Sequence, residues 1–441
     1  MKNINVFQVV ILIICGFAAV IAMVMFSLFR AEGDQITSPI VLWGIQSQDD
    51  YQKVAQDLLS ESDINLQYIT YVQKSERTFD EELLEALASG QGPDLILLPY
   101  DRVHQHKNKL VQISYETYGQ RLFQDSFVQG GDVFRDQEYI YALPFSVDPL
   151  VLYWNRTMFN NESIVNPPRL WQTIIDDLAI QLTDKNDAAT ISKSAIALGT
   201  FQNITHAQEI IQTLIMQAGN PLVILEQKTN SQDTGLFPRV ILNERLNYTV
   251  APAESAVRFY TQFADPTKAT YTWNTALEND KDLFARGDLA MYIGRASEVE
   301  SIQRINPNLN FDIALLPQRD TGDRIVFGDF TGVAVIRNSP YIQDAFQTMV
   351  TLTDAPFVEK WSEITGETPV RRSVLAEPSR NSFDTVARAS ALWARAYLEP
   401  GATRTESIFR AMIEGVVSGR FSVNDAVNRA NTQLQELFNQ R

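Results

Sequence analysis

The chain has 441 residues, of which 45% are apolar and 10% aromatic, with 37 Lys and Arg against 53 Asp and Glu for a net charge of −16. That composition excludes a disordered or fibrous chain, and the length provides for two or three domains with a substantial core. An acidic balance without a Lys/Arg cluster excludes a nucleic-acid partner, and a single cysteine, Cys15, excludes internal disulfides and thiolate zinc sites.

From Val9 to Phe29 the sequence runs without a charge and is long enough to span ~30 Å of hydrocarbon as a helix. Lys2 precedes it, which favours a cytoplasmic N-terminus (residues 1–8) and an exported body. A cleaved signal peptide is the competing reading, but Arg30-Ala31-Glu32-Gly33 offers no small-residue cleavage pattern. A lipoprotein signal would have to use Cys15, which follows Ile14 and precedes fourteen more apolar-compatible residues. The expectation is a single-pass anchor in the cell membrane (9–29), a polar tether (30–39) and an extracytoplasmic body.

In the body, Ile40–Ile45 reads as a strand, Gln48–Ser60 as a helix, Asn65–Val72 as a strand, Phe79–Ser89 as a helix and Asp94–Pro99 as a buried strand. Gly90-Gln91-Gly92-Pro93 stops the second helix and is no phosphate cradle, since it precedes a strand rather than opening a helix. This alternation predicts a mostly parallel sheet covered by helices, with ligands beyond the strands' carboxyl ends. Ile45–Asp49, with Gln46, and Pro99–Arg102, with Tyr100, then form one wall of a site. Helical spacing recurs at Leu170–Leu182, Ala207–Ala218, Ala253–Ala264, Asp344–Leu352 and Val423–Phe438. Phe311–Leu316 and Gly332–Ile336 read as strands, and Asn230–Asn247 as a surface loop or short hairpin.

No nucleophile elbow, Walker loop or zinc-protease motif is present, and no metal or other cofactor is expected. His104 and His106 do not share a helical face and read as a solvated pair among Gln105, Lys107 and Lys109. Asp101-Arg102 couples a carboxylate to a forked donor, which suits the hydroxyls of a polar ligand; the alternative is a helix cap by Asp101. Asp148 lies between two apolar runs, as a turn former or as a polar group in a cleft. Trp43, Tyr100, Trp273 and Phe330 are either core aromatics or stacking faces.

Taken in order, Gly92-Pro93-Asp94, Asp101-Arg102, Tyr141-Ala142-Leu143-Pro144 with Asp148, Leu152-Tyr153-Trp154-Asn155, Pro167-Pro168 with Trp171, Phe284-x-x-Gly287 with Ala290-Met291, Gly366-x-x-Pro369 and Gly419-Arg420 resemble the extracellular solute-binding proteins of family 1. These are substrate-binding subunits of ABC importers, and they include maltose-binding protein. The resemblance implies a two-lobed α/β periplasmic-binding-protein type II fold with a ligand cleft between the lobes. Lobe one would be 40–147 plus 327–377, and lobe two 148–326 plus 378–441. It places Asp101 and Arg102 at sugar-contacting positions of one lobe and Asp148 at one of the other. Arg295, where the family has a Pro-Trp step, and Asp329 with Phe330 on a hinge strand complete the candidate ligand set. The implied function is a non-enzymatic receptor for a carbohydrate or similar polar solute, with permease transmembrane subunits as partners. A sensor or adhesion ectodomain of the same fold, and an extracellular carbohydrate-active enzyme using Asp101 and Asp148, are the alternatives.

Overall fold

The computed structural model describes residues 38–61, 66–186, 190–227, 236–320 and 322–440. The expected anchor and most of the tether lie outside these residues. Among the described residues no helix is long and apolar enough to cross a membrane.

The elements that position the site are, in chain order, β1 (Ile40–Gly44), α1 (Gln48–Glu61), β2 (Ile69–Gln73), α2 (Phe79–Ala88), β3 (Leu95–Pro99), β4 (Leu143–Asn155), β5 (Ile191–Ile196), α3 (Ala207–Gln217), α4 (Pro252–Thr261), β6 (Leu289–Arg295), β7 (Phe311–Ala314), β8 (Val326–Val335), α5 (Ile342–Leu352), α6 (Ala355–Thr365), α7 (Ser382–Trp393), α8 (Ala402–Val417) and α9 (Val423–Asn439). β2, β1 and β3 pair in parallel, as the β-α-β alternation predicts. The parallel arrangement ends there. β8 runs antiparallel to β3, and β4 runs antiparallel to both β8 and β6. The sheet order is therefore β2-β1-β3-β8-β4-β6-β5, one mixed sheet rather than a mostly parallel one.

β4 and β8 join the two halves. Residues 143–149 of β4 pair with β8, whereas 150–154 pair with β6 and 152–155 with β7. The partner changes at Pro149, a residue that has no N–H to give to a ladder. Along β8 the register slips between Thr331 and Gly332, a bulge that bends the strand where it leaves β3. Of the thirteen residues in β4, twelve are buried and Asp148 alone is part-exposed. In β8 Asp329 and Thr331 are the two exceptions. A strand buried on both faces reads as a continuous apolar run, so these polar interruptions stand out.

Helices cover both halves. α6 lies against α1 beside β1, while α8 and α9 pack on each other and on α4. The helical stretch 171–181 contains a π-helical turn at Ile174–Leu178 that keeps Ile174, Leu178 and Ala179 buried. Residues 223–227 and 236–240 form a short antiparallel pair whose first strand precedes the Asn230–Asn247 stretch expected as a loop or short hairpin. The histidine pair differs from expectation. His106 is fully buried and its Nε2 lies 2.7 Å from Asp80, while His104 packs edge-on against the Phe438 ring at 4.9 Å. The bracketing lysines hid that burial, because long side chains keep only their charged ends in water.

Beside β8, at Gly130, the packing leaves no room for a side chain. A Cβ on Gly130 would sit 2.5 Å from the carbonyl oxygen of Ala394 and press into the Phe330 ring. Backbone cannot give way as a side-chain tip can, so overpacking here costs about 1–3 kcal/mol. Gly130→Ala should melt several degrees below the parent in calorimetry, whereas Gly119→Ala, where only Leu122 Cβ approaches at 3.9 Å, should not.

Candidate functional site

A cavity of about 950 Å³ opens where β4 and β8 cross between the halves of the sheet. One wall comes from the β1–α1 loop, with Gln46, and from the turn after β3, with Tyr100, Asp101 and Arg102. The opposite wall comes from α3, with Glu209, and from the end of β6, with Arg295 and Ser297. The floor carries Asp148 and Asp329, and Glu399 reaches in ahead of α8.

Asp148 and Asp329 are directly opposite each other in the β4–β8 ladder. Like charges at such a position destabilise a sheet, and burial pushes both carboxyls above their ordinary range. Arg295 compensates for this. Its Nη1 lies 2.6 Å from Asp329 Oδ2 and its Nη2 donates to Glu209 Oε1 at 3.1 Å. Its carbonyl oxygen accepts from Tyr153 at 2.6 Å, which fixes the strand end from which the guanidinium extends. Asp148 is held separately. Its oxygens accept from the backbone N–H of Ser297 at 3.0 Å and from the Ser297 hydroxyl at 2.5 Å. Asp148 lies within β4 and so forms no turn itself; it lines the cavity floor and anchors the turn after β6.

Behind Arg295 the charges continue inward. His206 Nδ1 lies 3.6 Å from Glu209, and its Nε2 lies 3.4 Å from Glu298, which also takes Lys281 at 2.8 Å. Burial alone would lower the His206 pKa, but the flanking carboxylates prevail and raise it to about 9. Burial likewise opposes ionisation of Glu209 and Glu298, yet the cations around them hold both at about 2.

Across the cavity, Asp101 caps neither of the short helical turns that flank it. Burial, reinforced by Asp329, raises it to about 7. Arg102 donates to the Glu76 carbonyl at 3.0 Å and lies 3.8 Å from Asp80. The Tyr100 hydroxyl donates to Glu399 Oε2 at 3.0 Å. Five of the wall's polar side chains carry a buried atom with no hydrogen-bond partner among the described residues: Gln46 Oε1, Asp101 Oδ1, Arg102 Nη1, Arg295 Nε and Glu399 Oε1. Such atoms normally find partners, and here they share one concavity.

Seven of the ten sequence candidates therefore line one cavity: Gln46, Tyr100, Asp101, Arg102, Asp148, Arg295 and Asp329. Three do not. Trp43 sits under the Lys74 ammonium, which lies 3.8 Å from its ring centre, and is not part of the cavity lining. Trp273 is fully buried with its Nε1 donating to Asn203, and Phe330 is fully buried against Gly130. Core demand for large apolar area outweighs their closeness to loop ends. The aromatic side chains on the wall besides Tyr100 are Phe201 and Trp361, neither evident from the sequence. Glu209, Glu367 and Glu399 were also missed. Only Glu399, set before Pro400-Gly401 in an otherwise apolar stretch, carried a visible signal. Among the described residues no group of three or more His, Cys, Asp or Glu is arranged to hold a metal ion.

A family model described as bacterial extracellular solute-binding protein matches residues 53–387, and the chain belongs to that family. A solved cyclo/maltodextrin-binding protein complexed with maltotetraose superposes with a TM-score of 0.70 at 18% identity, over 90% of this chain and 96% of the other. A cyclic α-maltosyl-1,6-maltose binding protein from Arthrobacter globiformis gives 0.70 at 17% identity, over 91% and 99%. These likenesses establish the shared fold. A binding protein of Brucella abortus (strain 2308) is 23% identical over 232 residues, 53% of this chain and 51% of the relative. The chain spans about half the length of the curated relatives it matches.

Two outcomes follow from the charge network. Arg295→Ala leaves Asp148, Asp329 and Glu209 facing one another without their cation, and unfolding in urea should show a loss of about 3–5 kcal/mol at neutral pH. Asp329→Asn in the same chain should restore part of it, and the deficit should shrink toward about pH 4, where the carboxyls take up protons. His206 holds its proton to about pH 9 when folded against 6.5 when unfolded. Its contribution is complete below pH 6.5 and is lost as pH rises through about 9. The melting temperature should therefore fall more steeply between about pH 7 and 10 in the parent than in His206→Gln.

Proposed function

Starting from membership of the bacterial extracellular solute-binding family, we propose that this chain is a receptor that captures a carbohydrate or similar polar solute and delivers it to an ABC permease. The observation that carries this reading is the set of five unpartnered buried donors and acceptors facing one cavity from both sides of the crossing strands. Donors and acceptors on facing walls match the hydroxyls of a polyol, each of which donates and accepts. The cavity volume is that of a site for a small oligosaccharide rather than for a macromolecule. The relatives whose sugars are stated in their descriptions share the fold over nearly the full chain, which supports the same class of ligand here.

In this reading the lobes are 40–147 with 327–377, and 148–326 with 378–441. They close on the ligand by rotation about β4 near Pro144–Asp148 and β8 near Val326–Thr331, where the partner exchange and the bulge weaken the ladder. Ligand bridging both walls favours the closed form by its greater affinity for that form, and the permease recognises the closed shape. The apolar run 9–29 tethers the body outside the cytoplasmic membrane, and the protein performs no chemistry on what it binds.

A thermal-shift screen of sugars, polyols, amino acids and polyamines tests the reading, since a ligand at 100 times its dissociation constant adds roughly 2.7 kcal/mol. With a hit, the radius of gyration from small-angle scattering should fall on saturation. Asp101→Ala should weaken binding about tenfold to a hundredfold, by losing charge-assisted hydrogen bonds, without lowering the melting temperature. Asp148→Ala should lower the melting temperature as well, because Ser297 loses its acceptor.

A further inference from the structure

The cavity wall is unbalanced in charge. Ten Asp and Glu residues line it against four Arg and no Lys. The arginines do not offset this where it is deepest. Arg295 is committed to Asp329 and Glu209, Arg410 to Glu406 at 2.6 Å, and Arg102 to the Glu76 carbonyl and Asp80. Arg304 is exposed at the rim.

Two carboxylates are left without a cation. Glu399 is 1% exposed, and although its Oε2 takes the Tyr100 hydroxyl, its Oε1 has no hydrogen-bond partner among the described residues. Asp101, on the adjoining wall, has an unpartnered buried Oδ1. Among the described residues neither forms an ion pair. The groups facing them make matters worse. Asp101 feels Asp329, Asp80 and Glu76 against Arg102 alone, and Glu399 feels Asp101 and Glu209, with the neutral Tyr397 and Gln208 side chains within hydrogen-bonding reach of it. A hydroxyl can satisfy the hydrogen bonding of such oxygens, but it leaves the buried charge in place. Among the described residues these carboxylates belong to no group of three or more His, Cys, Asp or Glu arranged to hold a metal ion.

We propose that the ligand of this cavity carries a primary ammonium group, and that Glu399 and Asp101 receive it. The proposal deepens the solute-receptor reading and rests on it. An ammonium brings three N–H donors to Glu399 Oε1 and Asp101 Oδ1, the cavity-wall oxygens that lack one. The rest of the ligand then lies toward Gln46 and Arg295 Nε. Burial disfavours the charged form of both groups, raising Asp101 to about 7 and Glu399 well above its usual range, and an adjacent ammonium favours that charged form.

The chemistry is shared by amino sugars and by aliphatic polyamines, and matched pairs separate them. Calorimetric titration of the full chain compares the glucosamine trimer with its N-acetylated form, and spermidine with sorbitol. The expected result is at least tenfold tighter binding of the amine in one pair, and that pair identifies the source. Glu399→Gln, which keeps the shape and removes the charge, should bring the ratio within that pair close to one. Equal binding within both pairs, or tighter binding of the neutral member, overturns the proposal while leaving the solute-receptor reading in place. Binding by none of the four compounds overturns it too, and a screen that likewise yields no neutral hit overturns the reading with it. A ratio unchanged in Glu399→Gln and in Asp101→Asn overturns the assignment of these residues.

Discussion

Two carboxylates facing each other at the middle of a buried ladder are the constraint around which this molecule is organised. Asp148 and Asp329 are cross-strand partners on β4 and β8, the two strands shared by both halves of the sheet. Charge repulsion in a buried sheet is tolerable only if something nearby takes it up. Arg295 does so from the end of β6, and Ser297 occupies the Asp148 oxygens from the turn that follows. The pairing thus joins the end of β6 to the crossing point through charge as well as through the β4–β6 ladder.

That arrangement extends outward in both directions. Inward, Arg295 shares Glu209 with His206, which shares Glu298 with Lys281, so cations and anions alternate from the cavity floor to the helix at 280–286. Each member lowers the cost of burying the next, and removal of one exposes its neighbours to the full desolvation cost. Outward, the alternation fails. Past Asp329 the wall presents Asp101 and Glu399, with no cation of their own. A wall that is balanced on one side of the crossing strands and unbalanced on the other is a wall built to be completed by a ligand on the unbalanced side.

The relatives with solved structures share this fold at 17–18% identity. Such divergence leaves the strand order intact because the order depends on apolar burial, which many sequences provide. The cavity wall is under no such rule, since its residues sit on loops and strand ends where side chains can change without moving the scaffold. Within the shared fold the charges of the wall can therefore differ, and they bear on the chemistry of the ligand.

The early elements were legible in the sequence because their signals are local. Ile40–Gly44, Phe79–Ala88 and Leu95–Pro99 follow from apolar periodicity and from glycine and proline stops, and Asp101 and Arg102 from their place at a strand's end. β4 was not legible as one strand, since Pro144, Asp148 and Pro149 break the pattern that a central strand normally shows. Its continuity depends on exchanging partners, and that is a property of the assembled sheet. The aromatic residues divided on the same ground: the sequence marks Trp43, Trp273 and Phe330 as near loop ends, but only packing decides that they fill cores while Phe201 and Trp361 reach the cavity. Glu209 and Glu399 lie about 190 residues apart and meet the wall only because the chain crosses between the halves more than once. Sequence determined which segments could be strands and helices, through period and propensity. Tertiary structure decided which charges face one another, because electrostatic partnership is set by distance in space, and that distance does not exist until the chain has folded.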